Sequence, residues 1–294
     1  MIYKNSLLHP YKTLKPNYKI KIYYINKYIW IEIKALIKRL YIQTYRRPSI
    51  IFAGIIQPLL WLILFGSLFK NAPINLLGHY NLKYSQFLSY GIIVFTAFTS
   101  SINAGLPIIF DREFGFLNRL FIAPLIYKNS LFVSVIIYTL SINIIEVITI
   151  IIFSINLSEN ILSLNLLFCI LNIITLLIIN IATLSVGLSF IVTGHIEFLA
   201  CTLIINLPTL FSSTALAPLS FMPPWLQIIA CINPLTYSIE IIRYISLNKL
   251  LDYNINIIKT IWFSLNIKES IFILLIINIL TIIIIKKILQ YKYN

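Results

Sequence analysis

Long apolar runs, each close to the length of a membrane-crossing helix, alternate along the 294-residue chain with short segments that hold most of its charge. A hydrocarbon core about 30 Å thick takes roughly 20 helical residues to cross. Residues 49–69 (SIIFAGIIQPLLWLILFGSLF) meet that length between Arg47 and Lys70, and runs at 87–110, 131–153, 162–193 and 198–221 follow. Only the turn Thr193-Gly194-His195-Ile196-Glu197 parts the fourth run from the fifth. The last run, 271–285, is shorter, but Ile288 and Leu289 extend it while Lys286 and Lys287 reach toward the interface, giving a span to about 288. Six spans are predicted, in an all-α integral membrane protein.

Ahead of them the period changes. Ile29, Ile33, Leu36, Ile37, Leu40 and Thr44 recur at helical spacing, with Glu32, Lys38, Arg39, Gln43 and Arg46 mostly on other faces. Residues 28–47 therefore read as an amphipathic interfacial helix, Trp30 and Tyr41 suiting a membrane surface, and Pro48 bends the chain into the first span. The expected organisation is a basic tail over 1–27, this helix, and a transmembrane domain over 49–290.

Composition agrees with the pattern: 59% of residues are hydrophobic and 11% charged, with mean hydropathy +0.91. A soluble domain of this size needs more polar surface. The net charge of +14 raises nucleic acid as a partner, yet eleven of the 23 Lys and Arg lie in residues 1–47, with no aromatic RNA-binding signature or zinc framework beside them. Membrane lipids, not nucleic acid, are the expected contact. Cys169, Cys201 and Cys231 fit neither a metal site nor a disulfide framework, so no metal or cofactor is expected. The wealth of Ile, Asn, Lys, Tyr and Phe is what an AT-rich genome produces, in an organelle or a reduced bacterium. The first residues resemble neither a secretory signal nor an import peptide.

Positive charge orients the spans. With the N-terminus inside, segments 1–48, 111–130, 194–197 and 286–294 hold 11, 3, 0 and 3 Lys or Arg, against 2, 0 and 4 in 70–86, 154–161 and 222–270. Both termini are therefore expected on the inner side.

The stretch FDREFGFLNRLFIAPL, 110–125, breaks the apolar rule with Asp111, Arg112, Glu113 and Arg119. It falls on the inner side, and its first charges directly follow a span, so they are expected in water or against a partner. Leu117, Leu120 and Phe121 share one side of a short helix that Pro124 closes. On these residues alone it is either a docking element or a solvated loop.

Asp111-Arg112-Glu113-Phe114-Gly115-Phe116-Leu117-Asn118-Arg119-Leu120, ending Ala123-Pro124-Leu125, resembles the inner-loop motif of ABC-2 type transport permeases. Phe116 and Asn118 depart from it, standing where the family often has Thr and an acidic residue. A second resemblance lies in Phe221-Met222-Pro223-Pro224-Trp225-Leu226 and Asn233-Pro234-Leu235-Thr236-Tyr237, followed by Arg243. The composition resembles the family's plastid-encoded members. The resemblance implies an ABC-2 exporter permease fold and a half-transporter: two copies pair, each docks on a separate ATP-binding subunit, and a coupling helix at 111–120 carries nucleotide-driven closure into the membrane. It implies export of a lipid-linked saccharide, a polysaccharide or a hydrophobic compound. The membrane would be a plastid one with both termini stromal, or alternatively a bacterial inner membrane. The chain contains no Gly-x-x-x-x-Gly-Lys-Ser/Thr phosphate loop, so ATP chemistry by that route needs the partner, and the chain reads as a permease rather than an enzyme. A haem- or cytochrome-maturation permease and a non-transport assembly factor are the alternatives.

Other residues carry two readings each. Glu146, about two-thirds of the way toward the outer side of the third span, is a gate, cation or substrate site, or else a protonated or paired carboxyl reached by water. Thr99, Ser100, Ser101 and Asn103 either bond between helices or line the pathway. Gln57-Pro58 is expected to kink the first span. The family resemblance further implies that Pro223 and Trp225 begin a segment that re-enters the outer leaflet and closes the exit. His195 and Glu197 form a His-x-Glu that lacks the Pro-Cys-x-x-Cys of zinc deaminases and reads as chance.

Overall fold

The computed structural model describes residues 25–69, 84–122, 129–158, 164–248, 255–260 and 262–293. Most of the basic tail, and Pro124, lie outside the described residues. The elements in chain order are α1 (Ile25–Tyr45), α2 (Ser49–Leu68), α3 (Tyr84–Ile102), a 3-10 turn (Asn103–Gly105), α4 (Leu106–Glu113), α5 (Phe116–Ile122), α6 (Ser130–Ser158) and α7 (Leu164–Ile191). Next come α8 (His195–Phe211), α9 (Pro224–Ile232), α10 (Pro234–Asn248), an antiparallel hairpin of β1 (Asn256–Lys259) and β2 (Ser264–Asn266), and α11 (Ile267–Tyr293).

Five of these units are long and apolar enough to cross a membrane: α2, α3 with α4, α6, α7 and α11. They match five of the six expected spans. The count reaches six if the bent α9–α10 pair is taken as one span, but the bounds of the fifth expected span, 198–221, are corrected. Its helix α8 starts at His195 and stops after 17 residues at Phe211, and the chain then turns through Ser212 to a 3-10 turn at Leu219–Phe221. The apolar pattern runs on across this break because Ala215, Leu216, Ala217 and Leu219 are as hydrophobic as a helix would be. Residues 222–270 are not wholly an outer loop either. α9 and α10 form a pair bent by 88°, and α10 is buried along Leu235, Ile239, Ile241, Ile242 and Ile245. Asn233 makes the bend. Its Oδ1 accepts the Leu235 N–H at 3.0 Å as a helix cap, Pro234 takes the first helical position, and the Tyr237 hydroxyl donates to the Cys231 carbonyl at 2.5 Å.

The second span is broken where sequence predicts continuity. Pro107 offers no N–H to the carbonyl of residue 103, four positions earlier, and the backbone tightens to a 3-10 turn over Asn103–Gly105. One side chain repairs the break: Ser185 Oγ on α7 accepts the Gly105 N–H at 2.9 Å and donates to the Ile102 carbonyl at 2.6 Å. Irregular backbone at membrane depth must find such protein partners. α2, by contrast, passes Pro58 as a single helix.

α1 forms as the pattern predicts, and Ile33, Leu36, Leu40 and Thr44 are its buried stripe. That stripe faces protein. α1 lies beside the start of α6 and runs the same way, with Ser130 bonding Glu32, Thr44 meeting the Tyr138 hydroxyl and Tyr41 bonding Ser141. Leu36 and Leu40 join Ile108, Leu117, Leu120, Leu131, Val135, Val186 and Phe190 in a cluster against which Ile288 also packs. α1, the α4–α5 junction, the start of α6, the end of α7 and the end of α11 thus share one end of the bundle.

Candidate functional site

At that end the charged stretch divides at Gly115. Its φ of +70° lies in the left-handed region that glycine adopts without a side-chain penalty, and it turns the chain from α4 into α5. α5 stands on two anchors, Leu117 and Leu120, both buried. Around them Phe114 is 78% exposed and Ile122 85%, and Asn118 and Arg119 are also exposed. Phe114 and Ile122, with Asn118 and Arg119 beside them, form a short projecting face.

The three charges before Gly115 do something else. They were expected in water or against a partner, and the structure turns all three onto the chain itself. Asp111, only 7% exposed, takes both guanidinium nitrogens of Arg39 at 2.9 and 2.5 Å. The same guanidinium sits 4.5 Å from the centre of the Phe116 ring, so Arg39 holds α1 to both sides of the Gly115 turn. Arg112 donates to the carbonyls of Ser189 at 2.9 Å, Val192 at 2.5 Å and Thr193 at 2.7 Å, closing the end of α7. Glu113 accepts the His195 N–H at 2.7 Å and the His195 imidazole lies 2.7 Å from its other oxygen, at the start of α8. Cations at a helix C-terminus and carboxylates at an N-terminus complement the free backbone groups there. The dismissal of His195 rested on metal chemistry, and no cluster of His, Cys, Asp and Glu suited to a metal exists among the described residues. A capping role leaves no such sequence signature.

Glu146 is buried on α6 against α2 and α3. Ser100 bonds its carboxyl, while Oε2 finds no hydrogen-bond partner among the described residues. A Cβ at Gly54 would stand 2.6 Å from Oε1, so the missing side chain on α2 makes the room the carboxyl fills. Gly54 lies near the start of α2, and Glu146 is the 17th residue of the Ser130–Ile155 span. Ser101 is also buried; its hydroxyl donates to the Ala97 carbonyl at 2.5 Å and accepts from Asn143 at 3.3 Å. Asn103 is exposed and bonds back to the Thr99 carbonyl at 3.0 Å. Ser100 and Ser101 thus bond between helices, and Asn103 stays on its own.

Toward the other end Arg243 is fully buried, a residue the pattern assigned to an outer loop. It pairs with Glu240 at 2.6 Å, donates to the Thr214 carbonyl at 2.9 Å and lies 3.7 Å over the Phe87 ring. Pro223 is extended before α9, and Trp225 is 63% exposed on it.

Residues 31–247 match the family model described as ABC-2 type transporter. Curated relatives carry the name "Putative transport permease ycf38". The protein of Porphyra purpurea is 49% identical over 263 residues, 90% of each chain, and that of Pyropia yezoensis 47% identical over 290 residues, 98% of this chain and 99% of the relative. A third, from Cyanophora paradoxa, is 46% identical over 259 residues, 88% and 89% of the two chains. Matched along most of its length by both comparisons, and built of helices suited to crossing a membrane several times, the chain belongs to the ABC-2 type transporter family.

Proposed function

We propose that the chain is the membrane-spanning permease subunit of an ATP-driven exporter, working as a homodimer with two separate ATP-binding subunits. One observation carries this reading: Phe114 at the end of α4, with Ile122 and Arg119 of the short helix α5, project as an exposed face from a base fixed to α1, α7 and α8. A lever works only if its base is tied to the elements it must move. Asp111, Arg112, Glu113, Gly115, Leu117 and Leu120 supply the base and pivot; Phe114, Asn118, Arg119 and Ile122 supply the contact.

Both termini and α5 are proposed to face the compartment holding ATP, the stroma if the membrane is that of a plastid. The organisms of the relatives and the excess of Lys and Arg in the corresponding segments support that location. Moving Arg243 from an outer loop into the bundle strengthens the charge asymmetry. Glu146 and Ser100 are proposed as a polar contact along the pathway, and the α9–α10 bend, with Pro223 and Trp225, as its exit. The cargo class remains a lipid-linked saccharide, polysaccharide or hydrophobic compound.

The test is affinity purification of the tagged chain from membranes. An ATP-binding protein should accompany it, and Phe114→Ala with Arg119→Ala should reduce its recovery at least several-fold without loss of the permease. Unchanged recovery would remove α5 as the docking helix. A cysteine at position 119, in a background with Cys169, Cys201 and Cys231 replaced, should react only with reagent on the ATP side.

A further inference from the structure

Within this chain α8 packs along one narrow stripe. Of its 17 residues only Phe198, Thr202 and Leu210 are buried, while Ile196, Leu203, Ile204, Leu207 and Phe211 are more than half exposed. Its two ends are fastened by polar bonds. At the start, Glu113 takes both the backbone N–H and the imidazole of His195, and the imidazole packs 5.5 Å from the ring of Phe110 on α4. Next to it, Arg112 bonds the last carbonyls of α7. Two carboxylates close over the turn between the helices: a Cβ on Gly194 would stand 2.5 Å from Glu197 Oε2 and 3.2 Å from Glu113 Oε1. At the far end, Asn233 Nδ2 donates to the Thr209 carbonyl at 2.8 Å and to Ser212 Oγ at 3.2 Å, and the same Asn233 caps α10 at the 88° bend.

We infer that α8 is a connecting rod: the Arg112–Glu113–His195 clamp delivers displacement of the α4–α5 junction to α8, and Asn233 passes it to the α9–α10 bend. A helix is stiff along its axis, and 17 residues reach about 25 Å at ~1.5 Å per residue, enough to join the two ends of the bundle. His195 and Asn233 are positioning residues in this scheme, acting through the helices they bind. The inference rests on α5 being the coupling helix, and it adds which element α5 drives.

Spin labels test it in the complex purified with its ATP-binding partner, using cysteine pairs 118/279 for α5 and 203/279 for α8, with α11 as reference. In the parent protein, ATP with vanadate should shift both distance distributions. In His195→Ala, which removes the imidazole from Glu113, the α5 shift should persist and the α8 shift fall by half or more. His195→Asn, which keeps a donor toward Glu113, should restore it. Asn233→Ala should leave the α8 shift intact and remove that of a label at position 228 on α9. An α8 that moves as before in the clamp variant, or that stays still in the parent while α5 moves, overturns the inference. If α5 itself does not respond to nucleotide, the coupling assignment falls first and the rod with it.

Discussion

Two arginine–carboxylate pairs sit at opposite ends of this bundle and do opposite jobs. Arg243 and Glu240 are three positions apart on one helix, fully buried, so the helix neutralises its own charge before it packs. Arg39 and Asp111 are 72 positions apart and partly open to water, so their pair measures the distance between two elements. The local pair lets charge into an apolar interior; the distant pair reports and restrains geometry. Only the second kind can transmit movement.

The largest expected effect follows from breaking the buried pair. Arg243→Ala strands the Glu240 carboxyl, and losing one partner of a buried pair costs about 3–5 kcal/mol. Thermal unfolding in detergent should show the largest loss of any single change here. Replacing both residues with Leu should recover most of that stability, since a buried pair exchanged for apolar side chains is often neutral. Failure to recover would mean that the Thr214 carbonyl and the Phe87 ring depend on the guanidinium, and the contrast between the two pairs would weaken.

Next comes Gly91→Ala. Its Cβ would meet the Ala215 carbonyl oxygen at 2.4 Å and the Ala215 Cα at 2.7 Å, which are backbone atoms that cannot rotate aside. Overpacking of this kind costs about 1–3 kcal/mol, visible as a lower unfolding temperature. At the other end, Arg39→Ala should cost about 1–3 kcal/mol, less than Arg243→Ala, because it removes the guanidinium from the buried Asp111 carboxyl while the Arg39 side of the pair already meets water. A cycle with Asp111→Ala should show strong non-additivity. If Arg39→Ala proves as destabilising as Arg243→Ala, the distinction between local and distant pairs is wrong.

The smallest stability effect, within about 0.5 kcal/mol, is expected for Arg119→Ala, an exposed side chain. Its loss should appear in recovery of the ATP-binding subunit. A measurable fall in unfolding temperature with full recovery would reassign Arg119 from docking to structure.

The same contrast explains what the sequence allowed to be read. α1, α2, α6, α7 and α11 follow from hydrophobic period and run length, because each is a regular helix in an apolar setting. Distant bonds are not periodic, so nothing in the pattern announced that Arg112 closes α7 or that Glu113 holds His195. Arg243 misled because a charge counts as aqueous when residues are read one at a time. Its i, i+3 relation to Glu240, with Asn233-Pro234 as a helix start just before, was the available clue. The end of α8 was hidden for another reason: hydrophobicity records the solvent a residue prefers, not the backbone it adopts, and residues 212–221 are apolar without being helical.

Ser185 has a consequence for the second span. A single hydroxyl supplies both an acceptor for the Gly105 amide and a donor for the Ile102 carbonyl, standing in for a missing rung of the helical ladder. The rung is anchored in a different helix, so the upper and lower halves of that span can tilt against each other without showing bare peptide to lipid, provided α7 travels with the joint.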